Sequence, residues 1–532
     1  MVDEPQNREE KKIIERVVEL AVVILLGIFP LYYKNFYSDI MDAKYQFYYC
    51  TVIAVIAIIF FVKVVFVVRN RTHRKKNQEV KRELHRFFSE LTMPEWMMVI
   101  FMVVAVISTF ASDYFYESFW GNEGRFSGLF LWLLYSIFFF LVVRKLEFKA
   151  WHIDVFLVSG FFVCLLGVLD YFHLDPLGFK EGIAPYHRDI FTSTLGNVNT
   201  FSAFALLYSG AVMALFGTTQ RQSLLILCRN LLCMSISFVA LYTSRSDNAF
   251  LGIAAIFACL PFLLLRIQRG MARYLTTLAL FLTIGKILRI INERFPDYVI
   301  GMDSISGAVS GIPYLGLIVI ALWLAVAVLY ICKFANAEPL KKRNYRIVAG
   351  AWGGILLAAA AALLFAFYDV NVNGNGNAYG ALGNYLLWND DWGTHRGFIW
   401  RIAIENYKKF TPIHKVFGYG LDTFGILTKQ NNGYEMLNKY GELYDSAHNG
   451  YLQYFITVGP IGLAAYIGLL FTSIYMMVKR RKDNPYVMAI VFAMIGYMAQ
   501  ETVNIDLPIA MPIFLLLMSM GIAACRTEKG KS

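Results

Sequence analysis

The sequence predicts an all-α polytopic membrane protein of about fourteen transmembrane helices with one large, partly helical external loop. Three observations carry this. Apolar runs of about 20 residues recur from end to end, each long enough to cross the ~30 Å hydrocarbon layer. Hydrophobic residues make up 58% of the 532 positions and charged residues only 16%. The basic residues fall largely in short loops at alternate ends of these runs, as loops on one side of a membrane do. Unsatisfied backbone groups cannot face lipid, so bundled helices are the expected solution.

The same numbers exclude other classes. Net charge is +11, from 49 basic and 38 acidic residues. In a soluble chain that excess would suggest nucleic acid; here it is a topology signal, and no nucleic-acid partner is expected. The seven cysteines, Cys50, Cys164, Cys228, Cys233, Cys259, Cys332 and Cys525, lie mostly inside apolar runs and form no CxxC pair. That argues against a zinc site and against an external disulfide framework. Residues 1–16 are polar and mixed in charge, so the first apolar run reads as a retained helix and not as a cleavable signal.

Taken in order, the runs are 17–33, 47–68, 95–112, 128–143, 153–171, 199–217, 224–242, 249–265, 274–291, 314–332, 347–368, 451–478, 486–503 and 508–525. Basic stretches mark the cytoplasmic side: Arg69 to Arg86, Arg144-Lys145, Arg266 to Arg273, Lys341-Lys342-Arg343, Lys479 to Lys482 and the tail from Arg526. Each is separated from the next by an even number of runs, which places both termini in the cytoplasm. Residues 1–92 read as an added two-span module with a basic loop, which is either an amphipathic surface helix or a solvated anchor. Residues 93–368 form the first part of the membrane core, 369–450 the large external loop, and 451–532 the last membrane helices and a cytoplasmic tail.

The expected external loops differ in kind. They carry 113–127 (Asp-Tyr-Phe-Tyr-Glu-Ser-Phe-Trp-Gly-Asn-Glu-Gly-Arg-Phe-Ser), Ser193-Thr-Leu-Gly-Asn-Val-Asn199, Thr243-Ser-Arg-Ser-Asp-Asn248 and the Asn-, Gly-, Trp- and Tyr-rich 369–450. Aromatic rings beside amides and carboxylates suit carbohydrate, whose apolar faces stack while its hydroxyls need polar partners. Interfacial aromatic belts give the same composition. Within the large loop, Ile399, Ile402 and Ala403 recur at helical spacing from Thr394, a candidate N-cap, to Phe410, with Pro412 beyond. Arg396 and Trp400 then share a face. Gly418-Tyr-Gly420 reads as a turn, and 434–447 as a second short helix.

Three of these external side chains could carry chemistry: Arg245, Arg396 and His448. A guanidinium binds phosphate through a planar two-pronged fork and keeps its proton. The serines beside Arg245, Ser244 and Ser246, could add hydrogen bonds; the alternative reading is an anchoring arginine. His448 lies where a run begins, in Asp445-Ser-Ala-His-Asn-Gly450. An imidazole there can exchange protons with water and still reach a lipid-borne substrate. Asp445 could orient the ring if the segment is helical. The bland alternative is a solvated histidine at a helix end.

These pieces together resemble the O-antigen ligase family, which also includes O-antigen polymerases and some protein O-oligosaccharyltransferases. The residues that carry the resemblance are Gly196-Asn197-Val-Asn199, Ser244-Arg245-Ser246, Arg396-x-x-x-Trp400, Gly418-Tyr-Gly420 and His448-Asn449-x9-Gly459-x-x-Gly462. It covers roughly 95–525; the first two runs lie outside the family core, where about twelve spans are usual. The resemblance implies a GT-C-like bundle in the bacterial cytoplasmic membrane. Its reaction takes a glycan from undecaprenyl diphosphate on the outer face and passes it to an acceptor hydroxyl, with inversion and without metal or cofactor. It implies His448 as the group that activates the acceptor, Arg245 and Arg396 as the diphosphate ligands, and Asn449 as the polar residue after the histidine. The acceptor (lipid-anchored core, glycan repeat unit or polypeptide) stays open. A rival class, a lipid-linked glycan flippase or other transporter, would place charges or helix breaks at mid-bilayer.

Overall fold

The computed structural model describes residues 4–526 apart from 36, 38, 70–84, 86, 221–222, 268, 303, 332–341 and 381. The basic loop after the second run, Lys341 and the tail 527–532 therefore lie outside the described residues. The main helices are α1 (Glu4–Gly27), α2 (Ile40–Arg69), α3 (Met93–Ala111), α4 (Leu129–Lys145), α5 (Ala150–Tyr171), α6 (Val198–Thr218), α7 (Leu224–Thr243), α8 (Asp247–Leu264) and α9 (Gly270–Arg294). They continue with α10 (Leu315–Ile331), α11 (Lys342–Val372), α12 (Trp392–Lys408), α13 (Phe424–Tyr440), α14 (Gly450–Thr457), α15 (Gly459–Arg481), α16 (Pro485–Glu501) and α17 (Met511–Arg526). A two-stranded antiparallel hairpin pairs Phe191–Thr192 with Gly196–Asn197.

This is an all-α, multi-pass membrane architecture. Among the described residues, nine helices are long and apolar enough to cross a membrane by length and composition. All fourteen apolar runs lie on helices, because a run with no polar face satisfies its backbone only internally.

One run is broken. The stretch 451–478, expected as one span, is two helices meeting at Val458–Gly459. Pro460 has no N–H to offer the Ile456 carbonyl one turn earlier. That carbonyl and its neighbour accept from outside instead: Tyr419 N donates to Ile456 O at 3.0 Å and Gly420 N to Thr457 O at 2.9 Å. Ser108 Oγ donates to Thr457 O as well, at 2.6 Å. Gly459 turns the chain with φ +71°.

The large loop also differs from expectation. Gly393, Thr394 and His395 have φ of 61°, 59° and 67°, a left-handed turn, so regular helix starts at Arg396 and Thr394 is not its cap. The second loop helix is α13, earlier and longer than 434–447, and it ends at Gly441 with φ +69°. Residues 441–449 are not helical.

Helix α6 is buried from Thr200 to Thr218 and packs most closely on α16. A Cβ on Gly210 would lie 2.3 Å from Phe492 O, so only glycine permits that approach. The first two helices pack into the same apolar core as the rest. Lys44, fully buried, donates to Phe29 O at 2.6 Å and Pro30 O at 2.9 Å. Tyr37 OH donates to Ser193 O at 2.9 Å, and the Tyr45 ring stacks on Phe126 at 4.6 Å. Helix α11 is peripheral, held to α8 by Trp352 Nε1 on Ala258 O at 2.9 Å and Tyr345 OH on Phe262 O at 3.0 Å.

Contacts sort the connections into two ends. At one end, buried Glu95 takes both Arg144, at 2.9 Å, and Arg526. Arg481 Nε donates to Ala524 O at 2.9 Å there. At the other end, segment 112–128 meets 418–449, and 196–199 meets 244–248 and 502–506. The polar loops that drew attention in the sequence thus share one end of the bundle.

Candidate active site

A second, smaller apolar core supports that end. Phe398, Ile399, Ile402 and Ala403 of α12, Phe424 and Leu427 of α13, and Ala447 and Ile456 close over one another. On this base the segment before α14 is fixed at four points. Trp400 Nε1 donates to Ala447 O at 2.8 Å, and Ala447 N donates to Gln453 Oε1 at 3.0 Å. Asn449 caps α14, its Oδ1 accepting Leu452 N at 2.9 Å. Gly450 lies against buried Glu501; a Cβ there would stand 2.7 Å from Glu501 Oε1. A side chain immediately after the His448-Asn449 pair would have to displace the Glu501 side chain.

His448 sits between these restraints with φ +45°, a sparsely populated conformation for a non-glycine residue. Neither imidazole nitrogen has a hydrogen-bond partner among the described residues. Burial, then the charges of Arg396 and Arg125, push its pKa down to about 4, against a smaller upward pull from Asp445. The ring is neutral at ordinary pH and free to accept a proton.

Arg396 stands at the start of the regular part of α12, where backbone N–H groups and the helix dipole favour an anion. Its Nη1 donates to Gly393 O at 2.6 Å, while its Nε is buried without a partner among the described residues. Burial lowers the guanidinium pKa, and Asp247, at the start of α8, raises it. Arg245 lies two residues before Asp247 with φ +52°. Its Nη1 is 3.5 Å from Asp189 Oδ2 and donates to Asp189 O at 3.4 Å. Ser244 and Ser246 are buried and donate to Leu241 O and Asn199 Oδ1, both at 2.8 Å. These serines build the turn that presents Arg245.

Asp445 does not hold the His448 ring, since the helix that would have aligned the two is absent. It forms a two-pronged ion pair with Arg125, Nε to Oδ2 at 2.9 Å and Nη2 to Oδ1 at 2.5 Å. Burial pushes the Asp445 carboxyl up, but Arg125 more than offsets this and its pKa lies below the ordinary value. Arg125 is the residue that sequence reasoning missed. It is a cation in an expected external loop, the same oddity that drew attention to Arg245. With Asp422, Gln453 and Asp506 it lines a cavity of about 40 Å³, room for one or two waters. Asp422 accepts from Asn122 N at 2.7 Å and Ser127 N at 3.2 Å; burial raises its pKa to about 6.

The glycine motifs now have a physical reason. Gly418 has φ +80°, and its Cβ would meet the Thr457 carbonyl carbon at 2.3 Å; that of Gly459 would meet Val416 O at 2.3 Å. The two glycine segments cross backbone to backbone.

Residues 299–467 match the family model described as O-antigen ligase. This stretch is similar to the O-antigen ligase family. The match bears out the resemblance read in the sequence, over a narrower range than 95–525. The O-antigen ligase stretch holds Arg396, Trp400, Gly418, Asp445, His448, Asn449 and Gly459. Arg125, Ser244, Arg245 and Ser246 lie before it and reach the same end of the bundle through the fold. Among curated proteins, none matches the chain. The match points, at a coarse level, to an O-antigen ligase-like enzyme.

Proposed function

We propose that the chain is a metal-independent, inverting glycosyltransferase with fourteen spans in a GT-C-like arrangement. It moves a glycan from undecaprenyl diphosphate to an acceptor hydroxyl at the outer face of the bacterial cytoplasmic membrane, with both termini inside. The observation that carries this reading is the buried His448 imidazole, without a hydrogen-bond partner among the described residues and kept neutral by burial and by the charges of Arg396 and Arg125. The acceptor hydroxyl attacks the anomeric carbon; the new C–O bond forms as the bond to the diphosphate oxygen breaks. The hydroxyl proton passes to His448, and the diphosphate leaves with its charge on Arg396 and on Arg245, which exchanges Asp189 for phosphate. His395 and His414 take other partners, Tyr444 OH at 2.7 Å and Ala111 O at 2.9 Å.

The acceptor is a hydroxyl of lipid-anchored glycan, repeat unit or protein, and the three share this chemistry. The test is purified protein in liposomes with undecaprenyl-diphosphate-linked glycan and host envelope acceptors. We expect transfer that survives EDTA. Loss on chelation restored by one divalent ion would end the metal-free reading. Glycan translocation without transfer would favour the transporter class. Impermeant labelling of single cysteines at positions 75 and 375 tests the sidedness: only the second should react from outside.

A further inference from the structure

Beside Arg396, three tryptophans meet. Trp388 lies 5.1 Å from Trp392 and 5.6 Å from Trp400, ring centre to ring centre, and the last two are 5.4 Å apart. Two of the indoles are fixed by backbone acceptors: Trp392 Nε1 donates to Tyr385 O and Trp400 Nε1 to Ala447 O, both at 2.8 Å. Trp388 is 43% exposed, and its indole N–H has no partner among the described residues. Its backbone is nonetheless held, Trp388 N donating to Asn371 Oδ1 at 2.7 Å. The asparagine-rich stretch of the large loop thus serves to set this ring in place. An aromatic face that is rigid, open and rimmed by amide and carboxylate groups is what a pyranose needs: its C–H face lies on the ring and its hydroxyls take the rim. Asn389 and Asp391 follow Trp388 in the chain, Asn389 Oδ1 accepting Asp391 N at 3.0 Å and Asp391 Oδ1 accepting Tyr440 OH at 2.9 Å, and each keeps a further acceptor lone pair for a hydroxyl.

The cluster is continuous with the proposed site. The left-handed turn at 393–395 folds the Arg396 guanidinium onto Gly393 O, next to Trp392, and Trp400 follows one helical turn later. Trp400 also holds Ala447, the neighbour of His448. A glycan whose diphosphate rests on Arg396 therefore begins beside these rings. We propose that Trp388, Trp392 and Trp400 form a stacking subsite for a sugar ring of the donor glycan, an inference that rests on the donor reading above. Membrane-interface tryptophans are the competing class. Such residues spread along helix ends with their N–H groups toward water; here two of the three N–H groups are turned into the fold.

The experiment measures binding of two probes to protein in nanodiscs: bare undecaprenyl diphosphate, and undecaprenyl diphosphate carrying the host's own glycan. The wild type should bind the glycan-bearing carrier more tightly. Trp388→Ala should weaken that binding by about tenfold and leave bare-carrier affinity unchanged. Trp388→Tyr, which keeps a ring, should retain most of the preference; Trp388→Leu, which keeps apolar volume alone, should behave as alanine does. Equal loss for both probes would mark a membrane anchor and overturn the proposal. So would a wild type that binds bare carrier and gains nothing from the glycan, a result that leaves the donor reading standing. A wild type that binds neither probe removes both.

Discussion

Breaking the Arg125–Asp445 pair separates an electrostatic role from a structural one. Arg125→Ala removes two charge-assisted hydrogen bonds of 2.5 and 2.9 Å. Such bonds are worth about 1.5–3 kcal/mol each when dry. The Asp445 side chain is 46% exposed, so water replaces much of the loss and the fold should weaken by only about 1 kcal/mol. The effect on His448 is larger in kind. Arg125 is one of two cations that hold the imidazole pKa near 4, and its removal also leaves the Asp445 charge uncompensated. Both changes move the His448 pKa up, toward its ordinary ~6.5. At pH 7 the ring stays mostly neutral and transfer should change little. At pH 5 the rate should fall: once the pKa passes 5, each further unit costs about tenfold. Asp445→Asn removes the opposing charge and should move the acid limb down, leaving the rate at pH 5 intact. The assay is a pH–rate profile of transfer for purified wild type and both variants. A merely structural pair would shift both profiles alike, and identical or unmoved acid limbs would refute the reasoning.

Arg396→Lys keeps charge but loses the fork, and should lower donor use about ten- to a hundredfold with folding intact, read as KM and kcat for the lipid donor; wild-type values would return Arg396 to a helix-end charge. Gly418→Ala combines φ +80° with a Cβ 2.3 Å from the Thr457 carbonyl carbon. It should cost more than about 3 kcal/mol and most of the folded yield in detergent size exclusion, whereas normal yield would mean the crossing relaxes. Asp422 has its folded pKa raised to about 6, so its contribution to stability is complete below its ordinary ~3.8 and is lost as pH rises through 6. Asp422→Asn should therefore melt higher than wild type above pH 6, by up to about 3 kcal/mol; a lower melting temperature at pH 8 would show that the charge is needed beside Arg125.

The helices were legible because a lipid-crossing run announces itself over many residues, and alternating basic loops sorted their ends. The break at Val458–Gly459 was not, although Pro460 marks it, because its cause lies in Tyr419 and Gly420, some forty positions earlier. The first two helices read as an addition; Tyr37 and Tyr45 join them to the loops at the site end. Among site residues, His448 and Arg396 stood out by type and position, and the Arg396 charge is near enough to lower the His448 pKa. Arg125 carried a weak signal as a lone cation, and its partner is 320 residues away, beyond any local pattern. Asp445 was noticed for the wrong neighbour, since its role depends on a loop where a helix was assumed. Asn449, noticed as a polar companion of the histidine, is the cap that aims it.

The most direct measurement is single-turnover transfer by His448→Ala with defined donor and acceptor. The account predicts a protein that inserts normally, binds the lipid donor nearly as well as wild type, and transfers about 10²- to 10⁴-fold more slowly. His448→Gln, which offers a hydrogen bond but accepts no proton, should be nearly as slow. Near wild-type single-turnover transfer by His448→Ala would contradict the account at its centre.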